Sequence, residues 1–293
     1  MRALSLGLSP CPNDTYIFSS LLEGRSPLPK GVASIQPHFA DVEELNALAR
    51  EGRLDVSKLS ASAVADVLDD YVVLNSGGAL GRGCGPLLVA PCSGEIGAGK
   101  PEDFRTASIV VPGLLTTANL LLSLTGMFSG PREERIFDAI MPLLEKREFD
   151  AGVIIHESRF TYRDHGLSLV LDLGKWWEDA TGTPIPLGVI VAKRSLGEPV
   201  IRAVDAAIRQ SLERANAHPG EGMPFIRERA QEMDDRVLEQ HIAMFVNEFS
   251  LSLGDEGKNA VKELVSRAAA LRHPERNLNR NLEYNDQPIF APS

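Results

Sequence analysis

The residue of this chain best suited to acid–base chemistry is His156, which directly follows a short apolar segment. Val153, Ile154 and Ile155 precede it without an intervening polar residue, and such a run predicts a strand buried on both faces of a parallel sheet. Ligands of open α/β sheets collect beyond the carboxyl ends of such strands. Because histidine titrates near neutral pH, the pattern predicts a general base at a ligand site. The alternative is a buried, hydrogen-bonded histidine with a structural role.

Three further places combine the end of an apolar run, polar side chains and the predicted start of a helix. They are Asn13-Asp14-Thr15, Ser60-Ala61-Ser62 and Thr116-Thr117. Free N–H groups and the positive end of the helix dipole favour a carboxylate or phosphate at such positions. The alternative is that these side chains only cap their helices. Lys58, just before Ser60, adds a cation that either pairs with a substrate carboxylate or stays solvated.

The glycine-rich segment 77–89 permits close approach of its backbone to a ligand. It matches neither the phosphate-binding pattern GxxxxGK[ST] nor a dinucleotide fingerprint, so we interpret it as a hinge or as a wall of a ligand site. Cys84 within it has glycines on both sides and no adjacent basic residue that would favour a thiolate, and we expect it to be a packing residue. The other histidines lack metal-ligand spacing, so no metal site is predicted; they are His38, His165, His218, His241 and His273.

Composition limits the class of protein. The chain has 293 residues, of which 43% are hydrophobic and 24% charged, with a net charge of −10; these values are typical of a globular protein with two domains. The acidic balance disfavours nucleic acid and anionic lipid as partners. No apolar run approaches the roughly 20 residues of a membrane span, and the N-terminal apolar stretch is too short for a signal peptide. Three cysteines without C-x-x-C spacing favour a reducing compartment, and we expect a cytoplasmic protein.

Strand-like and helical segments alternate along most of the chain, which favours an α/β architecture with largely parallel strands. From about Leu196 the pattern changes to four amphipathic helical segments, predicted at 200–217, 223–231, 235–249 and 255–271. After His273 the polar tail lacks periodicity, and we expect it to be extended or partly disordered.

Two segments, 48–60 and 143–158, share one pattern: a helix end, a basic turn, an aspartate, a strand and a polar cluster. Chance similarity is the alternative to a repeated unit. The segment 93–103 is rich in glycine and charge and is interpreted as a connection between domains. Together these features predict two α/β lobes with a ligand cleft between them, one formed by residues 1–93 with 194–293 and the other by residues 94–193.

Six motifs, arriving in order, resemble one enzyme family, the 1,4-dihydroxy-6-naphthoate synthases of the futalosine route to menaquinone. The motifs are SPCPNDT (9–15), KLS (58–60), SGGALGRGCGPL (76–87), TT (116–117), HESRFTY (156–162) and DLGKWWEDATGTPIPLG (172–188). The resemblance covers at least residues 4–250 and implies a two-lobed, periplasmic-binding-protein-like fold of type II. It also implies a carbon–carbon lyase that converts cyclic dehypoxanthinylfutalosine to 1,4-dihydroxy-6-naphthoate and dihydroxyacetone.

The matching motifs imply a role for particular residues. His156 matches the family's proposed general base, and the substrate-binding segments of the family are matched by Lys58, Leu59, Ser60, Thr116 and Thr117. We also expect Asn13, Asp14 and Arg159 to bind substrate. Cleavage of a carbon–carbon bond beside a carbonyl is driven here by formation of an aromatic ring, so one base in a site without water suffices. We therefore expect a small-molecule carboxylate as partner and neither metal nor redox cofactor. The sequence leaves the oligomeric state open.

Two alternative functions remain. One is chorismate dehydratase of the same pathway, although the GRGCGPL and WWEDATG segments differ from what that enzyme would carry. The other is a solute-binding protein that captures a ligand without converting it. Such a receptor is expected to have an export signal and needs no histidine at a strand end.

Overall fold

A computed structural model describes residues 2–92, 99–230, 234–274 and 288–292. The chain forms two compact units. Unit 1 consists of Met1–Leu80 with Pro186–Ser293, and unit 2 consists of Gly81–Ile185. Among the described residues, none of the helices combines the length and the apolar character needed to cross a membrane.

The strands of the two units are three to nine residues long. They are β1 Arg2–Leu8, β2 Val32–Phe39, β3 Val56–Ser60, β4 Tyr71–Val73, β5 Ala79–Gly81, β6 Leu87–Pro91, β7 Ile109–Val111, β8 Arg132–Glu134, β9 Ala151–Ile154, β10 Leu167–Asp172 and β11 Ile185–Lys193.

Helices occur in each of the four segments predicted for the C-terminal third, although the one predicted at 223–231 ends at Arg227. The helices of the chain are α1 Pro12–Leu22, α2 Val42–Arg50, α3 Thr117–Leu124, α4 Phe137–Glu145, α5 Ser158–Thr161, α6 Leu173–Thr181, α7 Glu198–Ala217, α8 Met223–Arg227, α9 Asp235–Phe245, α10 Glu248–Leu251 and α11 Gly254–Arg272. Short 3₁₀ helices occur at Ala61–Asp66, Pro101–Phe104 and Arg194–Leu196.

Unit 1 is built on a mixed sheet with the order β2-β1-β3-β11-β4, and β5 also pairs with β11. β1 runs parallel to β2 and β3, whereas β11 runs antiparallel to β3 and β4. Leu4, Leu6 and Leu8 of β1 are buried in a core that helices α1 and α7 complete. Successive side chains of a strand point to opposite faces, so the three leucines, at every second position, lie on the same face of β1.

Unit 2 has a sheet of the corresponding order, β8-β7-β9-β6-β10, in which β7 takes the place of β1 and β9 the place of β3. β7 runs parallel to β8 and β9, and β6 runs antiparallel to β9 and β10. The α/β prediction is confirmed. The sheets are mixed, however, and the prediction of largely parallel strands was wrong. The sequence could not indicate this, because apolar runs of buried strands carry no signal for strand direction.

Two strands lie in the unit opposite to the one expected from the sequence. The predicted boundaries placed β6 in the first lobe and β11 in the second, but β6 pairs with β9 and β10, and β11 pairs with β3 and β4. The glycine-rich segment 93–103 therefore follows β6 within unit 2. Its residues 93–98 lie outside the described part of the chain, and Pro101–Phe104 is a 3₁₀ helix. The arrangement of two lobes about a ligand cleft stays a prediction.

The helix predicted at 235–249 is divided in two. Val246 has extended backbone angles (φ −114°, ψ 109°) and ends α9. Asn247 then caps α10, its Oδ1 accepting a hydrogen bond from the Phe249 N–H at 3.0 Å. Such a cap competes with continuation of the helix, and it was not recognised in the amphipathic pattern.

The described end of the C-terminal tail packs on the edge of the unit 1 sheet. Residues 288–292 lie beside β4, where the carbonyl of Ile289 accepts from the Val73 N–H and the Ala291 N–H donates to the Val73 carbonyl, both at 2.8 Å. This part of the tail is extended, as expected, and it is held by backbone hydrogen bonds. The prediction for residues 275–287 falls outside the described residues.

Candidate active site

His156 lies in unit 2, two residues beyond the end of β9, with a left-handed backbone conformation (φ 56°). The residue is partly exposed, and its ring packs edge-on against Phe137 at the start of α4, with ring centroids 4.8 Å apart and planes at 67°. A positive φ is uncommon for a residue other than glycine, and it persists only where the surroundings enforce it. Such strain concentrates at functional sites. Among the described residues Arg147 also has a positive φ (58°), in the turn after α4, so the backbone supports a role for His156 only together with its place beyond the end of β9.

Thr116 and Thr117 begin α3 at the carboxyl end of β7, on the strand next to β9. The Thr116 hydroxyl accepts from the Asn119 N–H at 3.2 Å and donates to the Gly113 carbonyl at 2.7 Å. The capping alternative therefore describes this side chain. The N–H groups of the first helical turn are the means by which this segment would bind an anion.

Arg159 joins two of the sequence motifs within unit 2. Its guanidinium donates to the Gly85 carbonyl and lies 3.9 Å from the Asp172 carboxylate. Gly85 and Gly174 are packed so closely that a Cβ added to Gly85 would lie 2.2 Å from the Gly174 Cα. Both glycines are therefore required by close packing of segment 76–87 against segment 172–188. The expectation that Arg159 binds substrate stays a prediction, beside this structural role.

Cys84 is buried in the same region, and the structure supports a packing role. Burial raises the pKa of its thiol to about 12, although the nearby Arg159 partly opposes that rise. A thiol with so high a pKa is neutral near pH 7 and is a poor nucleophile. Across the described residues, no group of three or more His, Cys, Asp or Glu side chains could hold a metal ion.

In unit 1, the polar residues at the ends of β1 and β3 form a buried network around Asp14. The Lys58 Nζ lies 2.6 Å from the Asp14 Oδ1, and the side chains are 6% and 0% exposed. Ser9 donates to the Asp14 Oδ2 through its N–H (3.2 Å) and its hydroxyl (2.7 Å), and the Asn13 Nδ2 donates to Oδ1 at 3.0 Å. Lys58 is thus neither solvated nor unpaired: an internal carboxylate balances its charge.

The end of β3 is held by a second side chain. The Ser60 N–H donates to the Asn46 Oδ1 at 2.9 Å, and the Asn46 Nδ2 donates to the Ser60 hydroxyl at 3.1 Å. Ser60 is buried, and Leu59 is fully buried in the unit 1 core. The Ser60 hydroxyl keeps its proton as a donor, because Asn46 uses it only as an acceptor.

His241 is a member of the unit 1 network that sequence reasoning missed. Its Nε2 lies 3.0 Å from the Asn13 Oδ1, although 228 residues separate the two in sequence. The available signal was its position: with Leu238 and Phe245 it falls on the buried stripe of α9. A histidine on an apolar stripe needs a hydrogen-bonding partner from elsewhere in the fold.

Comparisons with known proteins identify the family. The model of a family described by the words "menaquinone biosynthesis" matches residues 4–270 of this chain. The chain belongs to this family. Two curated relatives are both named 1,4-dihydroxy-6-naphtoate synthase. The relative from Thermus thermophilus is 50% identical over 272 residues, covering 92% of this chain and 95% of the relative. The relative from Streptomyces coelicolor is 43% identical and covers 91% and 93%.

Comparison with solved structures identifies the fold. A crystal structure of a protein from Archaeoglobus fulgidus is 30% identical, with a TM-score of 0.83 over 92% of this chain and 97% of that one. A Candida albicans protein described as having the generic periplasmic binding protein fold is 13% identical, with a TM-score of 0.68, 93% of this chain and 92% of that one being covered. The Escherichia coli aliphatic sulphonate binding protein is also 13% identical, at 0.65 over 99% and 94%. The last two show the fold alone. The family resemblance and the periplasmic-binding-protein-like fold predicted from the sequence are confirmed.

Proposed function

We propose that this chain is a carbon–carbon lyase that forms 1,4-dihydroxy-6-naphthoate in menaquinone biosynthesis, with His156 as its general base. The substrate is cyclic dehypoxanthinylfutalosine, and dihydroxyacetone is released. Membership of the family and the names of two relatives that match nearly the whole chain support the reaction. The single observation that supports the base is the strained, partly exposed histidine beyond the end of β9.

The geometry of unit 2 suits removal of a proton. The edge-on contact with Phe137 restricts rotation of the His156 ring, so the imidazole is oriented before the substrate arrives. His156 would take a proton from the substrate, and the electrons left behind would complete the aromatic ring as the adjacent carbon–carbon bond breaks. The departing three-carbon fragment would keep the electrons of that bond as an enolate-like anion, take up a proton and leave as dihydroxyacetone, so that no oxidant or reductant is needed. Donors at the start of α3 would hold the substrate carboxylate.

The proposal assigns further substrate contacts to the other residues expected from the sequence. Those of unit 2 are Thr116, Thr117 and Arg159, and those of unit 1 are Asn13, Asp14, Lys58, Leu59 and Ser60. The Lys58 charge is balanced by Asp14, so Lys58 would bind a carboxylate mainly through its remaining N–H donors rather than as an isolated cation. The partner is a small-molecule carboxylate, and the proposed compartment is the cytoplasm.

The alternatives explain less. A solute-binding receptor uses the same fold, but it gives no reason for a strained histidine at the end of β9. Chorismate dehydratase is not favoured, because both curated relatives carry the naphthoate synthase name. The function is tested by incubating the protein with cyclic dehypoxanthinylfutalosine, with chorismate and with neither, and following naphthoate absorbance. Absence of naphthoate from the first mixture would contradict the proposal.

Replacement of His156 by asparagine tests the base. Asparagine tolerates a positive φ better than most residues, so the variant should fold and bind substrate with a KM within a few-fold of the wild type. Its kcat should fall by about 10²–10⁴, because a positioned general base is lost. The wild-type activity should survive a chelator.

The matched control is His165→Asn, which alters a partly exposed histidine of the same unit that pairs with Glu145. Its kcat should remain near that of the wild type. A His156→Asn enzyme that turned over within a few-fold of wild type would place the base elsewhere.

A further inference from the structure

We propose that His241 is a positioning residue for substrate binding: through Asn13 it fixes the buried Asp14–Lys58 pair. The inference rests on the proposed function only in that this pair lies among the proposed substrate-binding residues. Its geometry lies entirely within unit 1.

The Asp14 carboxylate is the centre of the arrangement. It is 0% exposed, and four donors surround it: the Ser9 N–H and hydroxyl on Oδ2, and the Lys58 ammonium and the Asn13 amide on Oδ1. A buried carboxylate needs such partners, since water is excluded. The position of the Lys58 ammonium therefore depends on how the Asn13 amide is oriented.

His241 selects that orientation. With the Asn13 Nδ2 donating to Asp14, the Asn13 Oδ1 must accept, and the His241 Nε2 lies 3.0 Å from it. The reverse orientation would place the amide oxygen against the carboxylate and the NH₂ group against the imidazole N–H. A proton on the His241 Nε2 therefore makes only one of the two amide orientations favourable.

The imidazole is itself held in place. His241 is 1% exposed in the middle of α9, and the Phe245 ring packs on it with centroids 4.7 Å apart. On the far side of the network, a Cβ added to Gly188 of β11 would lie 2.6 Å from the Lys58 Cε. The Lys58 stem therefore fills the space that a side chain at position 188 would need. Loss of the His241 donor should shift the Asn13 amide, and Asp14 and Lys58 with it.

Kinetics of three variants test the proposal with cyclic dehypoxanthinylfutalosine as the substrate. His241→Phe keeps an aromatic ring beside Phe245 but removes the donor, and KM should rise about tenfold with kcat within about threefold of the wild type. His241→Gln restores an N–H donor and should recover most of the KM. The control Leu238→Ala loosens the buried face of the same helix without touching the network, and its KM should stay near that of the wild type.

A double-mutant cycle tests whether His241 acts through Asn13. The KM of the Asn13→Ala/His241→Phe double variant should be no higher than that of Asn13→Ala alone, since the intermediary is already absent. An unchanged KM in His241→Phe, an equal rise in Leu238→Ala, failure of His241→Gln to restore KM, or additive effects in the cycle would each overturn the inference.

Nitrogen-15 NMR of the wild-type imidazole provides a readout that needs neither activity nor a variant. The proposal requires a proton on the His241 Nε2, with slow exchange and a hydrogen bond to the Asn13 Oδ1. A neutral ring protonated only at Nδ1 would overturn the inference whatever the substrate. A wild-type protein that made no naphthoate but showed the Nε2 proton would instead contradict the proposed function and support the positioning role.

Discussion

The two units share one scaffold and differ at the ends of their strands. The strand order is β2-β1-β3-β11-β4 in unit 1 and β8-β7-β9-β6-β10 in unit 2. In each sheet the first three strands are parallel to one another, and the fourth strand runs antiparallel to the third. The strand that follows the matching helix, α2 or α4, is β3 or β9. The likeness of segments 48–60 and 143–158 is therefore a likeness of structure as well as of sequence.

A serine–aspartate pair links two neighbouring parallel strands in each unit, β1 with β3 in unit 1 and β7 with β9 in unit 2. In unit 1, Ser5 donates to the Asp55 carboxylate through its N–H (3.0 Å) and its hydroxyl (3.1 Å), and the Asp55 N–H donates back to the hydroxyl at 2.9 Å. In unit 2, Ser108 and Asp150 make the same three bonds at 2.8, 2.7 and 3.1 Å. The repeated bonds show that both sequences satisfy the same backbone groups in the same way.

The opposite strand ends show what can vary on such a scaffold. Unit 1 buries its polar groups there, with Asp14 and Lys58 neutralising each other. Unit 2 places a partly exposed histidine at φ 56°. Under the proposed function, the first arrangement favours rigid positioning and the second favours proton transfer. The scaffold therefore fixes where the strands end, and the residues beyond each strand decide the chemistry.

The largest effect on stability should come from breaking the pair in unit 1. Lys58→Met leaves the Asp14 carboxylate buried without its cation, and the free energy of unfolding in urea should fall by about 3–5 kcal/mol. Lys175→Met, which breaks an exposed pair with side chains 72% and 65% accessible, should change it by less than about 0.5 kcal/mol. Adding Asp14→Asn to Lys58→Met should recover part of the loss. A cost below about 1 kcal/mol for Lys58→Met would show that the unit 1 network is not tightly held.

An intermediate effect is expected at the repeated serine–aspartate pairs. Ser5→Ala and Ser108→Ala each remove the hydroxyl bonds, and each should lower the free energy of unfolding by about 0.5–2 kcal/mol. The Ser5 variant should lose more, because its bonds are partly buried whereas those of Ser108 are exposed. Equal losses, or a larger loss for Ser108→Ala, would contradict the view that burial separates the two otherwise matching pairs.

A small effect on stability is expected at the start of α3. Thr116→Ala removes the cap to the Asn119 N–H and should cost about 1 kcal/mol, whereas Thr116→Ser keeps the hydroxyl and should cost less. If these residues also contact substrate, Thr116→Ala in unit 2 and Ser60→Ala in unit 1 should each raise KM. Wild-type KM values in both variants would remove the two strand ends from the proposed binding site and leave only their structural roles.

Local sequence patterns determined much of this protein. The alternation of strand-like and helical segments predicted the α/β class, and the four helical segments predicted for the C-terminal third begin within two residues of α7, α8, α9 and α11. The ordered motifs identified the family, and the pattern around residue 153 placed His156 at a strand end. These features could be predicted because hydrophobic periodicity and short motifs each depend on residues that lie close together in sequence.

The tertiary structure alone decided the rest. Periodicity does not encode strand partners, so the exchange of β6 and β11 between the units could not be read from it. The neutralisation of Lys58 needed Asp14 to meet it across 44 residues, and the Asn13–His241 contact spans 228. The positive φ of His156 is uncommon for any residue other than glycine, and nothing in the local sequence indicated it. Charge state and strain depend on which groups meet after folding, and only the packed chain fixes those encounters.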